Sequence, residues 1–351
     1  MSLSRRKLIT RAGMATAAFA ATRVIKPRRV SAQTQEVNLY SSRHYNTDTA
    51  LYEGFTDLTG IRVNLLEGKA DELLARIQAE GDNSPADVFM TVDAGRLWRA
   101  EQAGIFASVN SSTLNSNIPE NLRHPDGKWF GFSKRARVIM YNKDEVEPSD
   151  LSTYEDLASS KWRGKVLIRS SGNIYNQSLV ASMIANDGVE ATEEWARGLV
   201  RNFARPPEGN DRAQIEGAAA GVGDIAIANT YYLPRYAVGA EDPTKQAIFD
   251  QIGVFFPNQE GRGTHINISG GGVLSSAPNP SAARQFLEYL SETEAQAFFA
   301  EGNNEYPVVK SATLAPVVES FGEFEEDTLS VAAYGENLAE AVQLMDRVGW
   351  E

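Results

Sequence analysis

The chain has 351 residues, no cysteine, three histidines, 42% hydrophobic content and a formal net charge of −12. That length predicts about two domains with substantial cores. Without cysteine there are no disulfides, thiolate zinc sites, iron–sulfur clusters or thiol nucleophiles, and a metal would have to be held by oxygen or imidazole. With His44, His124 and His265 the only histidines, a histidine-rich metal site is disfavoured too.

Residues 1–32 read as a targeting segment and not as part of the fold. They carry eight of the 34 basic residues and no Asp or Glu. Arg5 and Arg6 precede a weakly apolar stretch, Ala12 to Thr22, too short and interrupted to span a bilayer, and Val30-Ser31-Ala32 offers small residues for cleavage. The S-R-R-x-L pattern resembles a twin-arginine signal, which exports folded proteins. It predicts the twin-arginine translocase as a transient partner and the periplasm as the destination. The remainder holds 26 basic against 46 acidic residues, a net of −20, which argues against nucleic-acid binding by phosphate neutralisation.

Next, "EVNLYSS" predicts a buried strand over 36–42 and "NTDTALYEGFTDLTG" a helix over 46–60. Asn46 or Thr47 would be its N-cap, Leu51, Phe55 and Leu58 its apolar face, and Gly60 its stop. Strand 61–68, helix 69–85, strand 86–93 and helix 94–106 follow, and this alternation predicts βαβ units in a parallel sheet. "WFGFSKRARVIMYNKDEV" reads as one long extended segment crossing between two lobes. A second α/β round follows: strand 164–170, helices over 175–185, 190–204 and 210–221, and strand 224–229. "IGVFFPNQEGRGTHINISGGGVLSS" reads as a second extended passage returning to the first lobe. A helix pair over 281–302 and a helical C-terminus close the chain. The predicted fold is α/β: two lobes, each a mixed sheet flanked by helices, hinged by two extended crossings.

Open α/β sheets bind ligands outside the carboxyl ends of their strands. At three such corners stand His44 and Tyr45 in "SSRHYNTD", Tyr175 in "SSGNIYNQS", and Tyr231 and Tyr232 in "DIAIANTYYLPR". Neighbouring residues on a strand point to opposite faces, so Tyr231 and Tyr232 converge only where the backbone turns, as Pro234 implies. Any one tyrosine alone reads as half-buried packing; their repetition at equivalent corners favours a set. Phenol ionises near about 10, and a hard trivalent cation such as Fe³⁺ offsets that cost best. Four phenolates on Fe³⁺ leave a net charge of −1, so a nearby cation is expected. Arg235 and Arg135 are the candidates, although each alone reads equally as a surface salt bridge.

The other motifs have plainer readings. His124 in "RHPDGKW" reads as a surface residue and His265 as structural. "SGGGV" (Ser269–Val273) lacks the Lys-Ser/Thr of a phosphate loop, and the acidic run Glu323–Asp327 reads as solvated surface. No Ser-His-Asp or paired-carboxylate arrangement stands out, which argues against an enzyme.

"SSRHYNTD", "NDRAQIEGAAAGVGDIAIANTYYLPR" and "GRGTHINISGGGV" together resemble the ferric-iron-binding proteins of bacterial ABC importers, in particular the cyanobacterial FutA type. The resemblance covers nearly all of the mature chain. It implies a type II periplasmic binding protein fold, with an N-terminal lobe of 36–135 plus 260–310 and a C-terminal lobe of 136–259 plus 311–351. It also implies Tyr231, Tyr232 and Tyr175 as iron ligands from the second lobe and Tyr45 from the first, with His44 competing at that last position. Where some relatives hold a phosphate or carbonate, Tyr175 takes the place, which implies an anion-free, tyrosine-rich shell. The function implied is binding of Fe³⁺, with Fe²⁺ also open, and delivery by a monomeric protein to an ABC-type iron permease of the FutB/FutC kind in the inner membrane. Three alternatives stand beside it. One is the same fold holding a sugar, thiamine or polyamine, one an enzyme with Tyr231 or His44 as acid–base residue, and one an intracellular pool that protects against iron.

Overall fold

The computed structural model describes residues 35–43, 45 and 47–351. The signal-like segment 1–32, His44 and the N-cap candidate Asn46 lie outside them.

Among the described residues nine strands are joined: β1 (Glu36–Ser41), β2 (Arg62–Glu67), β3 (Val88–Val92), β4 (Phe130–Asn142), β5 (Val166–Leu167), β6 (Ile225–Asn229), β7 (Ile252–Phe255), β8 (Ile266–Val273) and β9 (Tyr306–Pro307). The order along the main path is β2-β1-β3-β8-β4-β6-β5, with β7 and β9 also pairing to β4. β1 runs parallel to β2 and β3, and the helices Asp48–Thr59 and Ala70–Glu80 supply the crossovers that parallel pairing requires.

The long strand β4 belongs to two sheets. Its residues Phe130 to Ala136 pair antiparallel with β8, and Arg137 to Tyr141 pair antiparallel with β6. The change of partner between Ala136 and Arg137 makes β4 the beam that links the two lobes. Thirteen residues with both faces almost wholly buried explain why it reads as an uninterrupted extended run.

The second passage is broken, with β7 and β8 separated by a turn, because Asn258 takes a left-handed φ of 63° there and accepts the Tyr154 backbone N–H. The "SGGGV" stretch is a close strand contact. A Cβ on Gly270 would lie 2.4 Å from the Phe130 carbonyl oxygen, and one on Gly272 would lie 2.2 Å from that of Lys128.

Four local expectations are corrected. Strand 164–170 pairs over Val166–Leu167 alone. Leu58 is 68% exposed, because the helix turns Tyr52 inward against Phe286 instead. His124 is buried, its Nε2 3.0 Å from Glu101, since the turn after it folds back onto Trp129. The acidic run is solvated only at its start: Glu326 pairs with Lys134 at 2.5 Å, and Asp327 is buried and accepts from Asn186. Among the described residues no helix is long and apolar enough to cross a membrane.

Candidate metal centre

β6 ends at Asn229 and gives way to a 3₁₀ segment, Thr230–Tyr236. The tighter winding after an extended strand lets adjacent side chains converge, and the rings of Tyr231 and Tyr232 lie 4.4 Å apart at 37°. Tyr175 stands in the first turn of the helix Ile174–Asp187, whose N-cap Asn173 accepts from the Tyr175 backbone N–H at 3.2 Å. The Tyr231 hydroxyl donates to the Tyr175 hydroxyl at 3.3 Å and accepts from Asn229 Nδ2 at 3.4 Å. Tyr45 follows β1, in the other sheet. The guanidinium carbon of Arg235 lies 5.8 Å from the Tyr45 ring, 5.8 Å from that of Tyr231 and 5.5 Å from that of Tyr232. Three corners and two sheets thus bring four phenols around one place.

Both arginines singled out in the sequence are here, in different settings. Arg235 is exposed and stacks over the phenols from outside. Arg135 is buried, 5.7 Å from the Tyr175 ring, and is not a surface residue. It donates to Ser269 at 3.2 Å and lies 4.0 Å from Asp93, while its Nε and Nη2 have no hydrogen-bond partner. Two residues on, Arg137 emerges on the same strand face and lies 6.0 Å from the Tyr175 ring. It is bound to Asp211, Asn229 and Asn176 at 3.3, 3.1 and 2.6 Å. Arg169, at 5.6 Å, adds a third guanidinium to that ring.

Burial pushes the Tyr231 phenol well up, and the neighbouring Tyr175, Tyr45 and Tyr232 push it the same way. Burial likewise raises Tyr45, with Glu305 adding to the shift. Tyr232 is pushed up to about 12 by burial and by its neighbours Tyr175 and Asp211. Burial works against the charge on Arg135, but Tyr231, Asp93 and Tyr175 outweigh it and hold its pKa up. Such phenols stay neutral in water at pH 7 and release their protons only to a strong Lewis acid.

The sequence reading passed over Arg43, Arg137, Arg169, Asp211 and Glu305. Arg137 and Arg169 carried a signal: one alternates with Arg135 along a strand, and the other stands at the end of "KVLIRS". Glu305 carried none, because it arrives from an irregular segment far along the chain. His265 is buried as a structural residue, its ring 4.9 Å from that of Tyr334. Burial, then Arg137, Arg135 and Arg262, hold its pKa well below the usual histidine value. Among the described residues no group of three or more His, Asp or Glu side chains is placed to hold a metal.

Residues 50–326 match the model of a family described as bacterial extracellular solute-binding protein. The iron uptake protein A1 of Synechocystis sp. is 59% identical over 319 residues, covering 91% of this chain and 88% of that one. A solved structure of the Trichodesmium FutA protein (IdiA), in complex with iron and citrate ligands, superposes with a TM-score of 0.88. It is 63% identical and covers 90% of this chain and all of the other. The chain belongs to the FutA-type solute-binding proteins. A ferric binding protein from Campylobacter jejuni, 40% identical with a TM-score of 0.84, covers 90% of this chain and all of the other. Members of this family bind and carry solutes for transport, and the two-lobed architecture around β4 is theirs.

Proposed function

We propose that the protein binds Fe³⁺ between its lobes through the phenolate oxygens of Tyr45, Tyr175, Tyr231 and Tyr232 and hands it to an ABC-type iron permease of the FutB/FutC kind. The observation that carries this reading is the convergence of four phenols from three strand-end corners, with no rival cluster of acids or histidines among the described residues. Iron is the cargo named for the Synechocystis and Trichodesmium relatives. Arg135 and Arg235 balance the residual −1 charge of the ferric tetraphenolate, one from within and one from the cleft mouth. The lobes divide as 36–135 plus 260–310 and 136–259 plus 311–351, and the protein reaches the periplasm by the twin-arginine route. Purified protein loaded with Fe³⁺ is expected to hold one iron and to be red to orange from phenolate-to-iron charge transfer. A colourless protein with stoichiometric iron removes tyrosinate from the site.

The citrate in the Trichodesmium structure favours a second reading, in which an iron–carboxylate complex is the cargo. The buried Arg135 keeps two nitrogens free of hydrogen bonds, which suits an added anion. Equal affinity for ferric iron with and without citrate would set that reading aside.

A further inference from the structure

Three of the four phenols stand on one sheet, whereas Tyr45 is carried alone by the loop after β1. That loop rests on Arg43, a fully buried arginine packed between the Tyr45 ring at 4.8 Å and the Phe299 ring at 4.9 Å. Every N–H of its guanidinium has an acceptor. Nε and Nη2 donate to Asp48 at 2.8 and 3.3 Å. Nη1 and Nη2 each donate to Glu305 Oε2 at 3.2 Å, and Nη1 also donates to the Ser133 hydroxyl at 3.4 Å. A guanidinium fixed in this way is a rigid platform for a ring stacked on it.

Glu305 is the far anchor of that platform. It accepts from Ser133 at 2.8 Å and from Ser269 at 3.3 Å, so it ties Arg43 to β4 and β8, the two strands at the centre of the sheet. It follows Asn304, held at a left-handed φ of 56°, and a π-helical turn, Phe298–Gly302. The same segment grips the loop a second time. Asn303 donates to Asp48 at 3.0 Å and accepts from the Thr47 hydroxyl at 2.5 Å, while the Asp48 backbone N–H donates to the Tyr45 carbonyl at 3.0 Å. Asp48 alone would hold the Arg43 guanidinium to its own loop; Glu305 and Ser133 fasten it to β4 and β8.

We propose that Glu305 is a positioning residue for Tyr45: through Arg43 it holds the first-lobe phenol in the place where it completes the iron shell. This rests on the tyrosinate reading given above. The test is a double-mutant cycle with E305A, Y45F and both together, each loaded with ferric nitrilotriacetate. Two quantities are read, the visible charge-transfer band per bound iron and the rate of iron loss to excess EDTA. E305A is expected to lose about a quarter of the band, as Y45F does, and to release iron roughly tenfold faster, within the coupling range of contacting residues. The double variant is expected to match Y45F, because Glu305 has nothing left to position. E305Q keeps a single acceptor oxygen, which can serve Ser133 and Arg43 but not Ser269 as well, and is expected to recover part of the band. If E305A does not fold, E305Q takes its place in the cycle, with a smaller loss beside Tyr45 and none once Tyr45 is already replaced. Wild-type band and release in the Glu305 variant, or losses that add to those of Y45F, overturn the proposal. A wild-type protein that binds iron without any band overturns the tyrosinate reading itself.

Discussion

The two sides of the cleft are built differently. On one side, Tyr175, Tyr231 and Tyr232 stand on adjoining corners of a single sheet, and two of them are already hydrogen-bonded to each other. On the other, Tyr45 is one phenol on a loop, held by a buried ionic cluster. The first side is a preformed trio; the second is an arm that completes it. On the proposed tyrosinate reading, this contrast predicts separate tasks, with the trio deciding whether iron is captured and the arm how long it stays.

The sharpest way to break this division is to remove the trio's centre. Replacing both Tyr231 and Tyr232 by Phe is expected to abolish colour and iron retention through desalting. The fold should survive, since the rings remain and each lost hydroxyl contact is worth only about 1 kcal/mol. Iron content read beside circular dichroism and thermal melting checks this. Tight iron binding by a folded double variant would sink the site assignment.

Acid acts on both sides together. The three shifted phenols lie above their ordinary value, so the free site is protonated at neutral pH and iron must displace those protons. Binding therefore weakens as pH falls, by about tenfold per pH unit for each proton released. Iron affinity measured between pH 8 and 5 should fall with a slope well above one proton. A slope near zero would mean that iron displaces no protons on binding, and would overturn the phenol ligand set.

The trio was legible in the sequence, and the arm's support was not. Each corner tyrosine lies two to eight residues beyond the end of a strand, so its place at a strand end comes from local pattern. The crossing strand was legible for the same reason, because thirteen residues without a turn signal have few other readings. The burial of Arg135 and the neighbourhood of Arg137 follow from the alternation of β4, a rule within reach but applied to one residue only. Arg43 and Glu305 are different. They meet across more than 260 positions of sequence, and nothing local marks a buried carboxylate in "EGNNEYP". His124 failed for a related reason: a Pro-Gly turn normally faces solvent, and only the fold places Glu101 and Trp129 over it.

A milder perturbation separates the arm from the trio. Tyr45→Phe leaves three phenols and should keep a weaker, less intensely coloured iron complex. Iron bridging the lobes is expected to compact the protein, and without the Tyr45 oxygen that bridge is lost. Small-angle scattering should then show iron-dependent compaction in the wild type and little or none in the variant. Equal compaction in both would mean that closure is driven by contacts other than Tyr45.

The smallest expected effect concerns Arg235, whose guanidinium stacks on phenols of both sides. A four-phenolate shell is −1 with Fe³⁺ and −2 with Fe²⁺, so the reduced form leans harder on nearby positive charge. Arg235 is exposed and its guanidinium carbon lies 5.5 to 5.8 Å from three rings, so solvent screens much of its field. A contribution of about 1 kcal/mol remains at that distance, which corresponds to roughly 40 mV in a one-electron potential. Arg235→Gln should therefore lower the potential by that order and weaken Fe²⁺ binding more than Fe³⁺ binding. Arg284, which pairs with Glu288 on its own helix at 3.7 Å, serves as the control and should change neither. Spectroelectrochemistry on the iron-loaded proteins reads the difference. Unchanged potentials for Arg235→Gln would move the charge-balancing role to the buried Arg135, whose guanidinium carbon lies 5.7 Å from the Tyr175 ring.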